Sequence, residues 1–265
     1  MSLIEGIIMG VVQGVTEFLP VSSSAHLILA RDYLAISAVP LLFDVVLHLA
    51  TLVVIIVYYR SIIGSIVLSF WRWAGKKNQM ADTPNLLYGV ALIGSTALTV
   101  VVVLLFKMLG IDSTNRTSIS VLLIVTAFIL FASRFVRFSW QSTALVGWKQ
   151  ALLIGIAQGC GSLAGLSRLG LTSSAALMGG LNPKEASQYS FLLAIPAVVG
   201  ALLLDIMQQH GGSTSVAIIP LIGGSITAIV VGFAVLPLFV RLIQKGKLWY
   251  AGVYLVAIGL FGLLG

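Results

Sequence analysis

Two short polar runs interrupt an otherwise apolar sequence, and the first of them has residues that could bind and attack a phosphate group. It begins with Glu17, passes through Pro20 and three serines at 22–24, and ends with His26. Pro20 cannot extend a preceding helix and serine is a favoured N-cap, so we expect a half-helix to begin near Ser22–Ser24. His26 could then act as a nucleophile or general acid–base, while Glu17 could hold a divalent cation or orient His26.

The second polar run contains an arginine in a segment that is otherwise apolar. The run comprises Gly165, Ser167, Arg168, Gly170 and Thr172. Arginine at the level of the bilayer interior is costly unless it is paired or hydrated. A second half-helix is expected to begin near Ser167, and two helix N-termini with hydroxyls and a guanidinium would form an anion site, most naturally for phosphate. The alternative is that Arg168 and Glu17 form a purely structural salt bridge.

Composition shows which elements must position these residues. Of 265 residues, 59% are apolar and only 9% are charged, whereas a soluble domain carries about a quarter charged residues. The net charge of +7 lies in loops between apolar runs, which favours a membrane protein and argues against nucleic-acid binding. A transmembrane helix needs about 20 apolar residues. Six runs qualify as predicted spans: Leu41–Tyr59, Leu86–Phe106, Ser118–Val136, Ser187–Met207, Val216–Leu238 and Leu248–Leu264.

His48 lies inside the first of these spans. A histidine in an apolar run most often serves helix packing, although it could also line a cavity. The single cysteine, Cys160, excludes an internal disulfide.

Two further apolar regions, Leu3–Leu34 and Ala151–Leu181, contain the polar runs and are predicted as re-entrant helical hairpins. Irregular backbone at membrane depth survives only where it is buried in protein or lines a wet cavity. The cations cluster in loops on one side of this topology: Arg60, Arg72, Lys76 and Lys77; Arg134, Arg137 and Lys149; Lys184; Arg241, Lys245 and Lys247. The positive-inside rule makes that side cytoplasmic and places both chain ends outside. The two hairpins then enter from opposite sides.

A weak internal repeat supports this inversion. Gly10-Val-Val-Gln-Gly14 matches Gly155-Ile-Ala-Gln-Gly159 at an offset of 145 residues. Broken helices at matching positions of two halves indicate a binding site at the bilayer midplane between inverted repeats. We therefore predict an all-α integral membrane protein with one domain over 1–265, built from inverted repeats of about 1–140 and 141–265, with about six transmembrane helices and two re-entrant hairpins.

The first polar run closely resembles the first signature of the undecaprenyl-diphosphate phosphatase family, also called the bacitracin-resistance family. The resemblance rests on the run Gln13-Gly-Val-Thr-Glu-Phe-Leu-Pro-Val-Ser-Ser-Ser-Ala-His26. The segment Ala164-Gly-Leu-Ser-Arg-Leu-Gly-Leu-Thr172 resembles the second signature, with Ala164 where proline is usual and Leu169 where a second serine is usual. The likeness extends along the whole chain, including Phe191-Leu-Leu-Ala-Ile-Pro196.

The resemblance implies a membrane phosphatase that converts a polyprenyl diphosphate to the monophosphate lipid carrier. It implies functional positions at Glu17, Ser22, Ser23, His26, Ser167, Arg168 and Thr172. The two polar runs and the resemblance together predict four catalytic residues: His26, Ser23, Glu17 and Arg168. They predict six substrate-binding residues: Ser22, Ser24, Ser167, Thr172, Gly165 and Gly170. The family's dependence on divalent cations implies Mg²⁺ or Ca²⁺ at Glu17 and Gln13. The family's first acidic position is occupied by Gln13 in this chain.

The chemistry and its alternatives stay open at this stage. Either His26 attacks the phosphorus or it activates Ser23 to do so, in a site that opens to the outer side of the plasma membrane. A polyprenyl-phosphate transporter or flippase, or a protein that binds the lipid diphosphate without catalysis, would fit the same pattern. The expected partners are a polyprenyl diphosphate and membrane lipids but no nucleic acid, with a homodimer as the candidate assembly.

Overall fold

A computed structural model describes residues 1–36, 41–77, 79–113, 115–136, 146–208 and 217–264. Within these ranges the chain is helical and has no β-strand, so the predicted all-α class is confirmed. The helices are α1 Leu3–Thr16, α2 Ser23–Tyr33, α3 Leu41–Tyr58, α4 Arg60–Ala74, α5 Thr83–Met108, α6 Arg116–Ser133, α7 Trp148–Cys160, α8 Arg168–Met178, α9 Pro183–Gln208, α10 Ile218–Gln244 and α11 Trp249–Leu264. The predicted repeat boundary at 140/141 and the loop cation Arg137 lie outside the described residues.

The apolar helices are those of an integral membrane protein. In the part of the chain that the structure describes, three helices are long and apolar enough to cross a membrane: α5 with the turn before it (Met80–Met108), α6 and α10. A fourth crossing is obtained if α3 and α4 are counted as one broken span. The six predicted spans coincide with α3, α5, α6, α9, α10 and α11, and the count of six crossings stays a prediction.

Helix α4 corrects one part of the sequence analysis. The stretch from Arg60 to Ala74 was assigned to a cytoplasmic loop, but it forms a helix bent by 78° from α3. Its apolar residues recur at helical spacing, and the Phe70 ring occupies the space that a side chain at Gly89 of α5 would need. Because cations lie near both ends of this stretch, the sequence pattern indicates a loop even though the residues between the cations are amphipathic.

Small residues allow two helix pairs to pack with their backbones in contact, and each pair joins the two halves of the chain. Helix α1 packs on α10, where a Cβ at Gly10 would lie 2.2 Å from the carbonyl oxygen of Gly224. Helix α7 packs on α5, where a Cβ at Gly155 would lie 2.8 Å from the carbonyl oxygen of Ser95. Such close approach is characteristic of helix association in membranes. Helices α1 and α7 are therefore each held by a helix from the other half of the sequence.

This packing predicts a strong effect of one added methyl group. Gly10→Ala should lower the stability of the detergent-purified protein by about 1–3 kcal/mol, because the methyl group overpacks a backbone contact. Gly94→Ala is the matched control, since nothing lies within 4 Å of a Cβ at Gly94 in the middle of α5. Thermal unfolding of both variants checks the prediction, and equal melting temperatures would contradict it.

An aromatic core lies directly behind the first polar run. Phe18, Phe191 and Phe239 are buried, with ring centroids 6.1 Å apart for Phe18 and Phe191 and 5.4 Å apart for Phe191 and Phe239. Because Phe18 follows Glu17 in sequence, burying its ring fixes the backbone that carries the Glu17 carboxylate.

Candidate active site

The first polar run breaks the helix where the sequence predicted. Helix α1 ends at Thr16, and α2 begins at Ser23 after the turn that contains Pro20. Ser22 sits just before α2 with a φ of 69°, a left-handed conformation that is uncommon for residues other than glycine. Its hydroxyl does not cap α2 but accepts a hydrogen bond from the Gly165 N–H at 3.1 Å. Ser22 therefore ties the first turn to the second.

The second polar run also breaks its helix, and α6 holds the resulting turn. Helix α7 ends at Cys160, and α8 begins at Arg168 with Ser167 as its N-cap, whose hydroxyl accepts from the Gly170 N–H at 3.1 Å. Thr126 of α6 donates to the Gly165 carbonyl at 3.1 Å and accepts from the Ser167 N–H at 3.2 Å. Gly165 has a φ of 104°, which requires glycine at this turn.

The two turns meet at a carboxylate. Arg168 Nη2 pairs with Glu17 Oε1, across 151 positions of sequence. The other oxygen, Oε2, accepts from the Ser23 hydroxyl at 2.6 Å and from Gln13 Nε2 at 3.1 Å. Only 4% of the Glu17 side chain is exposed, so these contacts form in a region largely shielded from water. The two turns therefore meet as predicted, and they do so through the Glu17–Arg168 ion pair that the sequence offered as the structural alternative.

A cavity of about 540 Å³ opens beside this cluster. Its polar lining includes these predicted site residues: Glu17, Ser22, Ser23, Ser24, Ser167 and Arg168. Apolar side chains of α5 and α9 extend the lining away from the cluster, among them Val100, Val103 and Leu202. The volume and mixed lining suit a small polar group joined to an apolar chain.

Five predicted residues do not line this cavity: Gln13, His26, Gly165, Gly170 and Thr172. Thr172 is buried and donates to the Arg168 carbonyl at 2.9 Å, within α8. Gly165 and Gly170 act through their backbones in the second turn. Gln13 reaches the cluster only through its amide contact with Glu17. Their predicted substrate or metal contacts stay predictions.

His26 lies apart from the Glu17–Arg168 pair. Its Nδ1 is 2.8 Å from the Ser22 carbonyl oxygen, and its Nε2 is 2.8 Å from the hydroxyl of Tyr254 on α11. The ring stacks on Tyr254 with centroids 5.6 Å apart. Both ring nitrogens thus have partners, and His26 is absent from the residues that line the cavity, so its ring would have to turn to reach a phosphate there.

The histidine that does face the cluster is His48. It lies on α3, lines the cavity, and places Nε2 3.5 Å from Glu17 Oε2. The apolar run around His48 favours a packing role, whereas the structure places the ring against the cavity. The available signal was the spacing of Asp44, His48 and Thr51, which puts three polar side chains on one face of an apolar helix.

The predicted cation site can be compared with the side chains present. Among the described residues, no three His, Cys, Asp or Glu side chains are grouped closely enough to hold a metal ion. Gln13 and Glu17 are both buried and in contact, and Gln13 Oε1 has no hydrogen-bond partner in the described part of the chain. A buried oxygen without a donor beside a carboxylate fits a divalent cation, provided that the amide presents this oxygen to Glu17.

Comparison with known proteins decides the family. The sequence profile of the family described as bacitracin resistance protein BacA matches residues 6–261. This chain belongs to the BacA family. The match covers both polar runs and nearly every described helix, so the resemblance found in the two signatures is confirmed.

Curated relatives in the BacA family are similar over almost their full length. A Treponema denticola protein is 37% identical over 98% of this chain and 96% of its own. Proteins from Borrelia hermsii and Syntrophotalea carbinolica are each 34% identical, over 94% and 96% of this chain and 94% and 95% of their own. All three are named undecaprenyl-diphosphatase.

Proposed function

We propose that this BacA-family protein is a polyprenyl-diphosphate phosphatase that removes the terminal phosphate of a lipid diphosphate. The observation that carries the proposal is the contact of Ser23 and Arg168 with one buried carboxylate, Glu17, at the edge of an apolar cavity. This arrangement combines a hydroxyl nucleophile, a proton acceptor and a cation for phosphate. The names of the curated relatives agree with it.

The geometry favours Ser23 as the nucleophile. Its hydroxyl already donates to Glu17, so the carboxylate can take the proton as Oγ attacks the terminal phosphorus. A bond forms between Oγ and phosphorus, the bond from phosphorus to the bridging oxygen breaks, and the polyprenyl monophosphate leaves. Water then hydrolyses the phosphoserine and releases phosphate. His26, whose ring nitrogens are engaged with Ser22 and Tyr254, has no such poised contact.

Charge on the diphosphate would be neutralised from both hairpins. Arg168 stands at the start of α8 and Ser23 at the start of α2, so two helix N-termini point towards the shared site. Positive groups that act on the developing charge lower the barrier to phosphoryl transfer. A divalent cation bound by Glu17 and Gln13 would supply further positive charge beside the transferred phosphate.

The prenyl chain would occupy the apolar part of the cavity between α5 and α9. Thr96, Val100, Val103 and Leu104 recur at helical spacing on the cavity side of α5. Val100 and Leu104 are each about half exposed, at 50% and 49%, so this lining continues to the lipid-facing surface. A long apolar chain could therefore remain in the bilayer while its diphosphate reaches Glu17 and Arg168.

We place this site in an inverted repeat with six crossings and two re-entrant hairpins in the plasma membrane, open to the outer side. The packing of α1 on α10 and of α7 on α5 supports the repeat. Helices α1 and α7 hold matching positions in the two halves, and each packs on a helix of the opposite half. The cation-rich loops support the orientation. A cysteine introduced at Ser24, after removal of Cys160, should react with an impermeant thiol reagent added outside intact cells. Labelling only after permeabilisation would contradict the outward opening.

The activity itself is tested by phosphate release from undecaprenyl diphosphate in detergent. We expect release that stops on addition of EDTA and returns with a divalent cation, and Glu17→Gln should be inactive because it cannot accept the Ser23 proton. Binding of the lipid without release under any of these conditions would favour a transporter or a non-catalytic binder instead.

A further inference from the structure

The ring of His48 has a defined orientation that leaves one nitrogen facing the Glu17 carboxylate. Nδ1 lies 2.8 Å from the Asp44 carbonyl oxygen, which only accepts, so Nδ1 carries the hydrogen. In the neutral ring, Nε2 then has a lone pair, and it lies 3.5 Å from Glu17 Oε2, another acceptor. Two acceptors that face each other repel unless a hydrogen-bond donor or a cation lies between them, and a divalent cation would satisfy both.

His26 shows the contrasting, satisfied arrangement. Its Nδ1 also bonds a backbone carbonyl four residues earlier, but its Nε2 meets the Tyr254 hydroxyl, which can donate. His48 has no equivalent donor to Nε2 among the described residues. Donation of the second ring nitrogen to a carbonyl is typical of histidines that bind metals, since it fixes the lone pair towards the ion.

Gln13 supplies a third group at the same carboxylate oxygen. Its Nε2 lies 3.1 Å from Glu17 Oε2 and 3.3 Å from the Thr51 hydroxyl, while its Oε1 is buried without a hydrogen-bond partner in the described chain. Rotating the Gln13 amide group by 180° exchanges its nitrogen and oxygen, which places Gln13 Oε1 next to Glu17 Oε2. Ligands that share one divalent cation at bond lengths of about 2.1 Å lie about 3.0–3.5 Å apart. The Gln13 amide and His48 Nε2 lie at 3.1 Å and 3.5 Å from Glu17 Oε2, within this range.

We propose that His48 Nε2 is the nitrogen ligand of a divalent-cation site completed by Glu17 Oε2 and Gln13 Oε1. Arg168 pairs with Oε1 of Glu17, so the carboxylate can bind the guanidinium through Oε1 and the divalent cation through Oε2. The Ser23 hydroxyl bonds Oε2 and places the nucleophile beside the ion. Because imidazole suits Zn²⁺ whereas carboxylate and carbonyl oxygens suit Mg²⁺, Ca²⁺ and Mn²⁺, the mixed site should accept Zn²⁺ as well as the ions that prefer oxygen ligands.

The inference rests on the proposed function for the identity of the site, but it is tested without substrate. Mn²⁺ is the probe, bound to purified full-length protein from which any histidine tag has been removed. Three-pulse electron spin-echo modulation should show coupling to one imidazole ¹⁴N in the unchanged protein. The coupling should vanish in His48→Gln, with at least tenfold weaker Mn²⁺ binding, and persist in His26→Gln. Zn²⁺ should displace Mn²⁺ at far lower concentration than Mg²⁺ does.

Three outcomes would contradict the assignment of His48 as a metal ligand. Mn²⁺ that binds without nitrogen coupling in the unchanged protein, or coupling that survives His48→Gln, would overturn the assignment, as would absence of Mn²⁺ binding. In those cases a protonated His48 paired with Glu17 would account for the 3.5 Å contact. Phosphate release by the same preparations is measured separately, so loss of the metal proposal leaves the phosphatase proposal standing.

Discussion

Ser23→Ala should reduce phosphate release by about a thousandfold or more, because it removes the hydroxyl that Glu17 is placed to deprotonate. Ser24→Ala is the matched control, since Ser24 lines the same cavity without contacting the carboxylate, and its turnover should fall less than tenfold. The loss in Ser23→Ala should appear in kcat rather than in KM, because binding of the diphosphate depends chiefly on Arg168 and the helix N-termini.

Rapid quench with labelled substrate followed by mass spectrometry locates the covalent step. We expect phosphate on Ser23 in the unchanged protein and none in Ser23→Ala. Label on His26 would reject the serine mechanism in favour of a phosphohistidine. Turnover by Ser23→Ala within tenfold of the unchanged protein would reject Ser23 as the nucleophile outright.

Arg168→Ala should have the second large effect, on both activity and stability. Activity should fall at least about a hundredfold because a preorganised positive charge at the transferred phosphate is lost. Stability should fall by about 3–5 kcal/mol because Glu17 would remain as a buried carboxylate without its cation. Arg116→Ala is the control, since Arg116 bonds Tyr33 and the Gly262 carbonyl instead of the cavity cluster.

A double variant separates the catalytic role of Arg168 from a purely structural salt bridge. Glu17→Gln with Arg168→Met removes both charges, so it should recover most of the stability lost in Arg168→Ala while remaining inactive. Thermal unfolding and phosphate release measure the two properties in the same preparations. An active double variant would show that the pair only supports the fold.

Local backbone chemistry made the two interruptions predictable. Pro20 has no N–H to continue α1, and Gly165 takes up a conformation that side chains disfavour, so both breaks follow from residues at the breaks themselves. Because burying a single charge is costly, the sequence offered pairing of Glu17 with Arg168 as the structural alternative to a phosphate site, and the structure contains that pair. Family membership followed from the same residues.

Helix rotation could not be predicted in the same way. His26 and His48 both lie on helices. Only the tertiary structure brings Tyr254 of α11 to the ring of His26 and, through the packing of α3 beside α1, brings the ring of His48 to Glu17. The sequence did not predict helix α4, because cations near both of its ends are typical of a loop. The apolar face of α4 is defined by tertiary packing, in which Phe70 contacts Gly89 of α5. The sequence by itself determined where the helices break and which polar groups must be buried, because these depend on each residue's own backbone and charge. Only the tertiary structure decided which side chains share the cavity, because that depends on backbone contacts such as Gly10 with Gly224, made between residues far apart in sequence.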